Sequence, residues 1–188
     1  MRYPRIGWAA ARRSLAALCC TVALATALPS HRAEADLAGA ARAVPAAELV
    51  GKGRMTFLGF NVFDAELYAP GGAYRSSSPF ALKLTYLRNF RAGQITESSI
   101  KEIRRQGGVS EGQLASWERQ MRSIFPNVAK GQSITGVRTA AGSTLFYSGN
   151  RKLGEIADPV FTKRFFDIWL GNRTRDPGLR AQLVGAGS

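Results

Sequence analysis

The stretch that decides the fold lies at residues 50–68 and reads VGKGRMTFLGFNVFDAELY. We interpret it as two β-strands that reverse at Leu58 and Gly59, because glycine supplies the backbone freedom that a tight turn needs. Side chains of a strand alternate between its faces, and both faces of the second arm carry apolar residues. A strand with apolar residues on both faces is typical of the interior of a sheet, so we place this arm between two neighbours.

The first arm contains two glycines, Gly51 and Gly53, on either side of Lys52. Glycine weakens a strand unless something must lie close to the backbone. The pair therefore predicts a bent or bulged strand or, alternatively, a close approach by another segment. It does not belong to a phosphate-binding loop, because the remaining residues of that motif do not follow and no helix begins there.

Residues 1–35 have the composition of a cleaved signal peptide. Four arginines precede an uncharged run over residues 14–29 that is rich in Leu and Ala, and Ala33 and Ala35 are small residues where a signal peptidase needs them. The run is shorter than the roughly 20 apolar residues that cross a bilayer, which argues against a membrane anchor. We therefore expect cleavage after Ala35, export to the periplasm, and no transmembrane span in the mature chain. The pair Arg12 and Arg13 leaves the twin-arginine route open, but the residues around the pair depart from that signal and favour the general route.

Cleavage at this point would remove both cysteines, Cys19 and Cys20, and the single histidine, His31. The mature chain would then lack thiol nucleophiles, disulfides, His-based triads and the side chains that form nearly every zinc or copper site. We expect neither a cofactor nor a metal. Any catalysis would have to come from Lys, Arg, Tyr, Ser, Thr, Asp or Glu.

The charge balance of the chain is strongly basic. The formal charge is +13, and loss of five Arg and one Glu with the leader lowers it to +9. A basic exported protein favours anionic partners such as lipid headgroups, acidic polysaccharides or small carboxylates. Peripheral contact with an anionic membrane is consistent with this charge, whereas nucleic acid is not an expected partner outside the cytoplasm.

The rest of the chain predicts an α+β domain over residues 48–185, preceded by a loose, Ala-rich segment over residues 36–47. Strand patterns cover residues 80–87, 133–139 and 144–147. Helix patterns cover residues 92–106, a segment capped by Ser110 that ends before Pro126, a segment capped by Asp158 that ends at Gly171, and a short final segment opened by Asp176. This order argues for helices packed on an antiparallel sheet.

Two acidic residues of the second arm, Asp64 and Glu66, fall on the same strand face. Such a pair could act as an acid and a base or hold a hard cation. We favour solvent-facing charges on a half-covered strand instead.

Three runs of this sequence resemble the chalcone isomerase family, in particular its exported bacterial branch. The first is GKG at residues 51–53 leading to VFDAELY at 62–68, and the second is LTYLR at 84–88 leading to ITE at 95–97. The third is FFDIWLG at 165–171 followed by DPGLR at 176–180. The resemblance implies an open-faced β-sandwich, a large sheet with helices packed against one side, which fits the order of elements above.

The resemblance also implies where a catalytic site would lie, because the family's isomerases close a flavanone ring in a cleft between sheet and helices. The Arg that holds the substrate phenolate falls near Lys52 or Arg54 in this sequence. The Thr and the Tyr that polarise the ketone fall on Phe63 and Arg91. We therefore expect no Thr or Tyr hydroxyl in this groove.

The remaining isomerase positions have changed as well. The family's Lys and Asn fall on Gln94 and Ser98, and its late pair of residues falls on Ile168 and Trp169. Loss of a placed donor costs about a hundredfold or more in rate by analogy with oxyanion holes, so we expect a site with no catalytic residues.

Other members of the fold bind fatty acids without catalysis and hold the carboxylate with a basic residue. Here the cleft would be lined by Phe63 and Trp169, with Lys52, Arg54 or Arg91 at its mouth. That arrangement suits a fatty-acid-like or aromatic carboxylate with a buried tail and a paired head.

Two alternatives stay open. One is an intramolecular lyase that acts on a different substrate with Lys52 or Arg91 as electrophile. The other is an interaction module of the cell envelope that works through its surface charge rather than through a cavity.

Overall fold

A computed structural model of the chain describes residues 37–185; the predicted signal peptide lies outside these residues. Within them, six antiparallel strands form one sheet in sequence order. The strands are β1 (Ala47–Phe57), β2 (Phe60–Pro70), β3 (Phe80–Tyr86), β4 (Ser133–Arg138), β5 (Thr144–Ser148) and β6 (Arg151–Ile156). The prediction that the second arm of the first hairpin lies inside a sheet is confirmed, because β2 pairs with β1 and β3.

Four helices cover one face of the sheet, as the predicted α+β fold requires. They are α1 (Ala92–Gln106), α2 (Glu111–Ile124), α3 (Pro159–Leu170) and α4 (Pro177–Val184). In the described part of the chain, no helix combines the length and the apolar character needed to cross a bilayer.

Side-chain caps explain why three of these helices begin where the sequence predicted. The Ser110 hydroxyl accepts a hydrogen bond from the Gln113 N–H, and the Asp176 carboxylate accepts one from the Leu179 N–H. Asp158 accepts from two amides of α3 and also from Trp117 Nε1, at 2.8 Å. The Asp158 carboxylate therefore fixes the start of α3 and joins it to α2.

The opposite face of the sheet is partly covered by the N-terminal segment. Residues Ala38–Ala43 form a 3-10 helix, and the segment buries Leu37, Ala40 and Val44 against the reverse face of β2, β3 and β4. The prediction of a loose segment over residues 36–47 is therefore wrong for residues 37–47, because small apolar side chains let this segment pack flat on the sheet.

The first hairpin departs from simple alternation. Met55 pairs with Phe63, but the next pair is Thr56 with Asn61, so Val62 is an extra residue that forms a bulge. Simple alternation predicts Asn61 on the same face as Phe63. The bulge moves Phe60 there instead.

The glycines of β1 meet α4. A Cβ atom on Gly51 would collide with the backbone oxygen of Gln182, and one on Gly53 would lie 2.7 Å from the Leu179 side chain. Close approach by another segment is therefore the reason for this glycine pair, and a bulge at Val50 accompanies it.

Candidate functional site

A cavity of about 490 Å³ lies between the helices and the sheet. Its walls come from β1 to β5, α1, α3 and the segment that joins α3 to α4. Leu82, Phe146 and Phe166 line it although none is more than 3% exposed, so the cavity reaches the hydrophobic core. Its volume falls in the range of about 300–1,000 Å³ that is usual for small-molecule sites.

Aromatic rings connect the two walls of the cavity. The Phe63 ring of β2 packs edge-on against Tyr86 of β3 and Trp169 of α3, with ring centres 6.2 and 6.4 Å apart. Trp169 also packs against Phe165, at 5.4 Å. Edge-to-face contacts of this kind fix ring orientation, so the apolar interior is a shaped surface that suits a hydrocarbon or aromatic group.

The polar side chains of the cavity lie mostly at its rim. Gln94, Ser98 and Lys101 are exposed residues spaced by four and three along α1, which puts them on one stripe of the helix. Arg88 is exposed at the end of β3, and its guanidinium lies 4.9 Å from the centre of the Phe60 ring. Neither Arg88 nor Lys101 pairs with a carboxylate of residues 37–185, so both cations are available to an anion.

A third cation of the rim is already neutralised. Arg175 lies 2.9 Å from a carboxylate oxygen of Glu102, which also pairs with Arg105 at 2.9 Å. The positive potential of the mouth therefore comes chiefly from Arg88 and Lys101.

The hydroxyl group of Tyr86 is the buried polar group of the lining that is free to donate. Tyr86 is 5% exposed, and no group in the described part of the chain hydrogen-bonds its hydroxyl. Burial raises the pKa of Tyr86 well above its ordinary value, so the group stays protonated and acts as a donor.

The expectation of a groove without Thr or Tyr hydroxyls is wrong, because Tyr86 and Thr174 both line the cavity. Thr174 donates its hydroxyl to the Ile168 carbonyl oxygen at 2.7 Å, so its proton is used within the chain. The resemblance assigns the family's Tyr to Arg91. Tyr86 stands in the LTYLR run that carries the resemblance and shares a strand face with Leu82 and Leu84, which was the signal that could have identified it.

Five of the eight predicted site residues line this one cavity: Phe63, Gln94, Ser98, Ile168 and Trp169. They come from β2, α1 and α3, which are far apart in sequence. Their role in ligand binding stays a prediction.

The other three predicted site residues, Lys52, Arg54 and Arg91, are not among the residues that line the cavity. Gly51, Gly53 and Met55 of β1 face the helices, so alternation turns Lys52 and Arg54 to the opposite face. There Arg54 makes two hydrogen bonds to the Asp64 carboxylate, at 2.6 and 3.0 Å. The prediction that Lys52, Arg54 or Arg91 lies at the mouth of the cavity is therefore wrong. The unpaired cations at the mouth are Arg88 and Lys101.

Arg91 occupies a structural position at the start of α1. It is the N-cap residue, and its backbone N–H donates to Gln94 Oε1 at 2.9 Å. Its side chain is not part of the rim.

The acidic pair of β2 also faces away from the cavity. Asp64 pairs with Arg54, and Glu66 pairs with Lys83 at 3.2 Å. This agrees with the interpretation as ordinary surface charges, and residues 37–185 contain no group of His, Cys, Asp and Glu that could hold a metal ion.

Comparison with protein families settles the relationship that the sequence suggested. The model of the chalcone isomerase-like family matches residues 48–185. The chain belongs to the chalcone isomerase-like family. The predicted family is therefore confirmed, and comparison of the sequence with curated proteins gives no match.

The fold of this chalcone isomerase-like protein is similar to that of a solved relative. The crystal structure of a fatty-acid binding protein from Arabidopsis thaliana aligns with a TM-score of 0.58 and 13% identity, over 76% of this chain and 89% of that chain. At this identity the likeness shows a shared fold, and the predicted open-faced sandwich is confirmed.

Proposed function

We propose that this chalcone isomerase-like protein binds a fatty-acid-like or aromatic carboxylate in its cavity without converting it. One observation carries the proposal: a single cavity combines an apolar, aromatic interior with two unpaired cations and a tyrosine donor. The Arabidopsis thaliana protein that shares the fold is a fatty-acid binding protein, which supports the same class of ligand.

The two ends of such a ligand would meet different surroundings. Each CH₂ group of a tail gains about 0.8 kcal/mol when it leaves water, so the apolar interior supplies most of the affinity. A hydrogen bond to a charged group contributes about 1.5–3 kcal/mol when it is shielded, and less at an exposed rim. Tyr86, Arg88 and Lys101 are the donors we assign to the carboxylate.

We also propose that the protein is exported and works in the periplasm. The support is the leader pattern of residues 1–35 and the basic charge of the remainder. Fatty acids dissolve poorly in water, so a binding protein in an aqueous compartment next to membranes has a clear use. Export is tested by fractionating cells and sequencing the N-terminus of the mature chain, which we expect at position 36.

Native mass spectrometry of the purified protein tests the binding proposal. We expect adducts whose masses match fatty acids or aromatic acids, and delipidated protein should regain one adduct when a fatty acid is added. A protein that carries no lipid and takes up none after delipidation would contradict the proposal.

An intramolecular lyase is the second candidate function, and Tyr86 is the observation that favours it. A protonated hydroxyl in an apolar site can polarise a ketone, and removing such a donor costs about 10²–10³ in rate. Lys52 and Arg91, the electrophiles predicted from sequence, are not among the lining residues. Turnover of a chalcone that collapses in Tyr86→Phe but survives in the matched control Tyr147→Phe would favour the lyase over the binding protein.

A further inference from the structure

The end of the β1–β2 hairpin presents three large apolar side chains to solvent. Phe57, Leu58 and Phe60 are 56, 80 and 59% exposed, and we call these three residues the apolar tip. In residues 37–185 the other large apolar side chains of comparable exposure are Leu49 and Val160, which stand singly. A single exposed apolar residue is ordinary, but a group of three at one point marks a binding surface.

The backbone of the tip holds Leu58 in a conformation that leucine disfavours. Its φ is 49° and that of Gly59 is 78°, so both central residues of the turn are left-handed. Asn and Gly are the usual residues at such positions, because a larger side chain is crowded there. Folding alone would favour Asn at position 58. The presence of an exposed leucine therefore indicates a role beyond folding.

One cation contacts the apolar tip, and two more lie on segments close to it in the chain or in the fold. Arg88 lies over the Phe60 ring, and Arg91 follows three residues later. The Lys130 N–H donates to Asn89 Oδ1 at 2.9 Å, which brings Lys130 to the same end of the molecule. None of these three side chains forms an ion pair with a carboxylate of the described residues. An apolar tip with an unpaired arginine on one of its rings, and with two further unpaired cations on neighbouring segments, matches the chemistry of an anionic membrane surface.

We propose that, in the ligand-free protein, the apolar tip inserts into the interface of an anionic lipid bilayer while Arg88, Arg91 and Lys130 bind lipid phosphates. Aromatic and leucine side chains are typical of segments that lie at this depth, and each nearby cation adds attraction to anionic headgroups. A second copy of this chain suits the surface less well, because two such ends would bring like charges together.

The position of the tip adds a consequence that rests on the proposed function. Phe57, Leu58 and Phe60 belong to the lining of the cavity as well as to the exposed surface. Insertion of the tip would therefore set the cavity mouth against the bilayer. An apolar carboxylate could then pass between bilayer and cavity without crossing water.

Cosedimentation of the ligand-free exported protein with phospholipid vesicles tests the docking surface. We expect binding to phosphatidylglycerol-rich vesicles that weakens with salt, and little binding to phosphatidylcholine vesicles. Leu58→Asn should weaken binding about tenfold or more, because a large apolar side chain no longer enters the interface. Leu49→Asn, at the other end of the same hairpin, and Val160→Asn are matched controls that should bind like the wild type.

Three outcomes would overturn the docking surface. They are no binding of the wild type to anionic vesicles, equal losses in Leu58→Asn and Leu49→Asn, and a dimer on size-exclusion chromatography that the tip substitution abolishes. The vesicles contain phospholipid alone, so these results do not depend on whether the cavity holds a fatty acid.

Transfer of a fluorescent fatty acid tests the consequence for the ligand. If the protein loads at the membrane, the transfer rate should rise with the concentration of acceptor vesicles. A rate that does not depend on vesicle concentration would overturn direct loading while leaving the vesicle-binding result intact. Complete absence of transfer from a protein that still binds vesicles would mean that the proposed function had failed instead.

Discussion

The two ends of the β1–β2 hairpin share one face of the sheet and differ in what covers that face. At the base, Gly51 and Gly53 carry no side chain, and α4 lies directly on the strand with Leu179 only 3% exposed. At the tip, Phe57 and Phe60 carry large rings that stay more than half exposed.

This difference explains how a single sheet face can be both solid core and the wall of a cavity. The base is closed by the chain itself, because removing side chains from β1 makes room for a helix backbone. The tip has the opposite composition, with bulky apolar groups that α4 does not cover. The apolar face that forms solid core at one end therefore becomes the wall of a cavity at the other.

The largest expected effect comes from filling the space under α4. Gly51→Val would collide with the α4 backbone and expose Leu179 and Leu183, which we expect to cost about 5 kcal/mol of the free energy of unfolding. Urea unfolding followed by circular dichroism measures it. Lys52→Val, one residue along and on the opposite face, is the control. Equal midpoints for the two variants would mean that α4 does not lie on β1.

Two leucine-to-alanine substitutions compare the base of the β1–β2 hairpin, which α4 covers, with its exposed tip. Leu179→Ala removes a buried side chain of α4 and should lower the free energy of unfolding by about 3 kcal/mol. Leu58→Ala removes an exposed one and should change it by less than about 0.5 kcal/mol. A comparable loss in both variants would contradict the contrast between the two ends.

The protein should also bind a fatty acid more weakly when the rim of the cavity loses a positive charge. Lys101→Gln should weaken binding of a fatty acid about three- to tenfold, since an exposed ion pair is partly screened by water and salt. Fluorescence displacement at low and high salt measures the change. Arg119→Gln removes the same charge from α2, away from the cavity, and should have no effect. If both variants bound alike, Lys101 would not contact the carboxylate.

The smallest expected effect is a gain in stability at the tip. Leu58→Asn relieves a left-handed leucine and should raise the free energy of unfolding by about 0.5–1 kcal/mol, because Asn tolerates that conformation. Urea unfolding checks the sign. A loss of stability would show that the Leu58 side chain is held by contacts within the folded protein.

Local rules made much of the fold predictable from sequence. Caps at Ser110, Asp158 and Asp176 depend on residues within three positions, so they marked helix starts correctly. Strand β6 was missed, because RKLGEI shows no clear alternation. Its Gly154 makes room for the Ile124 side chain, which comes from a distant part of the chain.

The cavity rim was harder to predict, because it depends on which face each strand residue takes. Contact with α4, about 130 residues later in the chain, decides which residues of β1 face the helices. Because Gly51 and Gly53 face α4, Lys52 and Arg54 face the other side of the sheet. The bulge at Val62 likewise moved Phe60 to the cavity side. Phe63 and Trp169 were identified because the resemblance to the family placed its site positions on them, and both rings do line the cavity.

Isothermal titration calorimetry with a long-chain fatty acid tests most directly whether the cavity binds such a ligand. Delipidated wild type is compared with two Ser→Trp variants. Ser98→Trp puts a large side chain at the exposed cavity rim, whereas Ser123→Trp adds the same group to the surface of α2. We predict saturable binding at one site in the wild type and in Ser123→Trp, and a loss of about tenfold or more in Ser98→Trp. No saturable binding in the wild type, or equal affinity in all three proteins, would contradict the account.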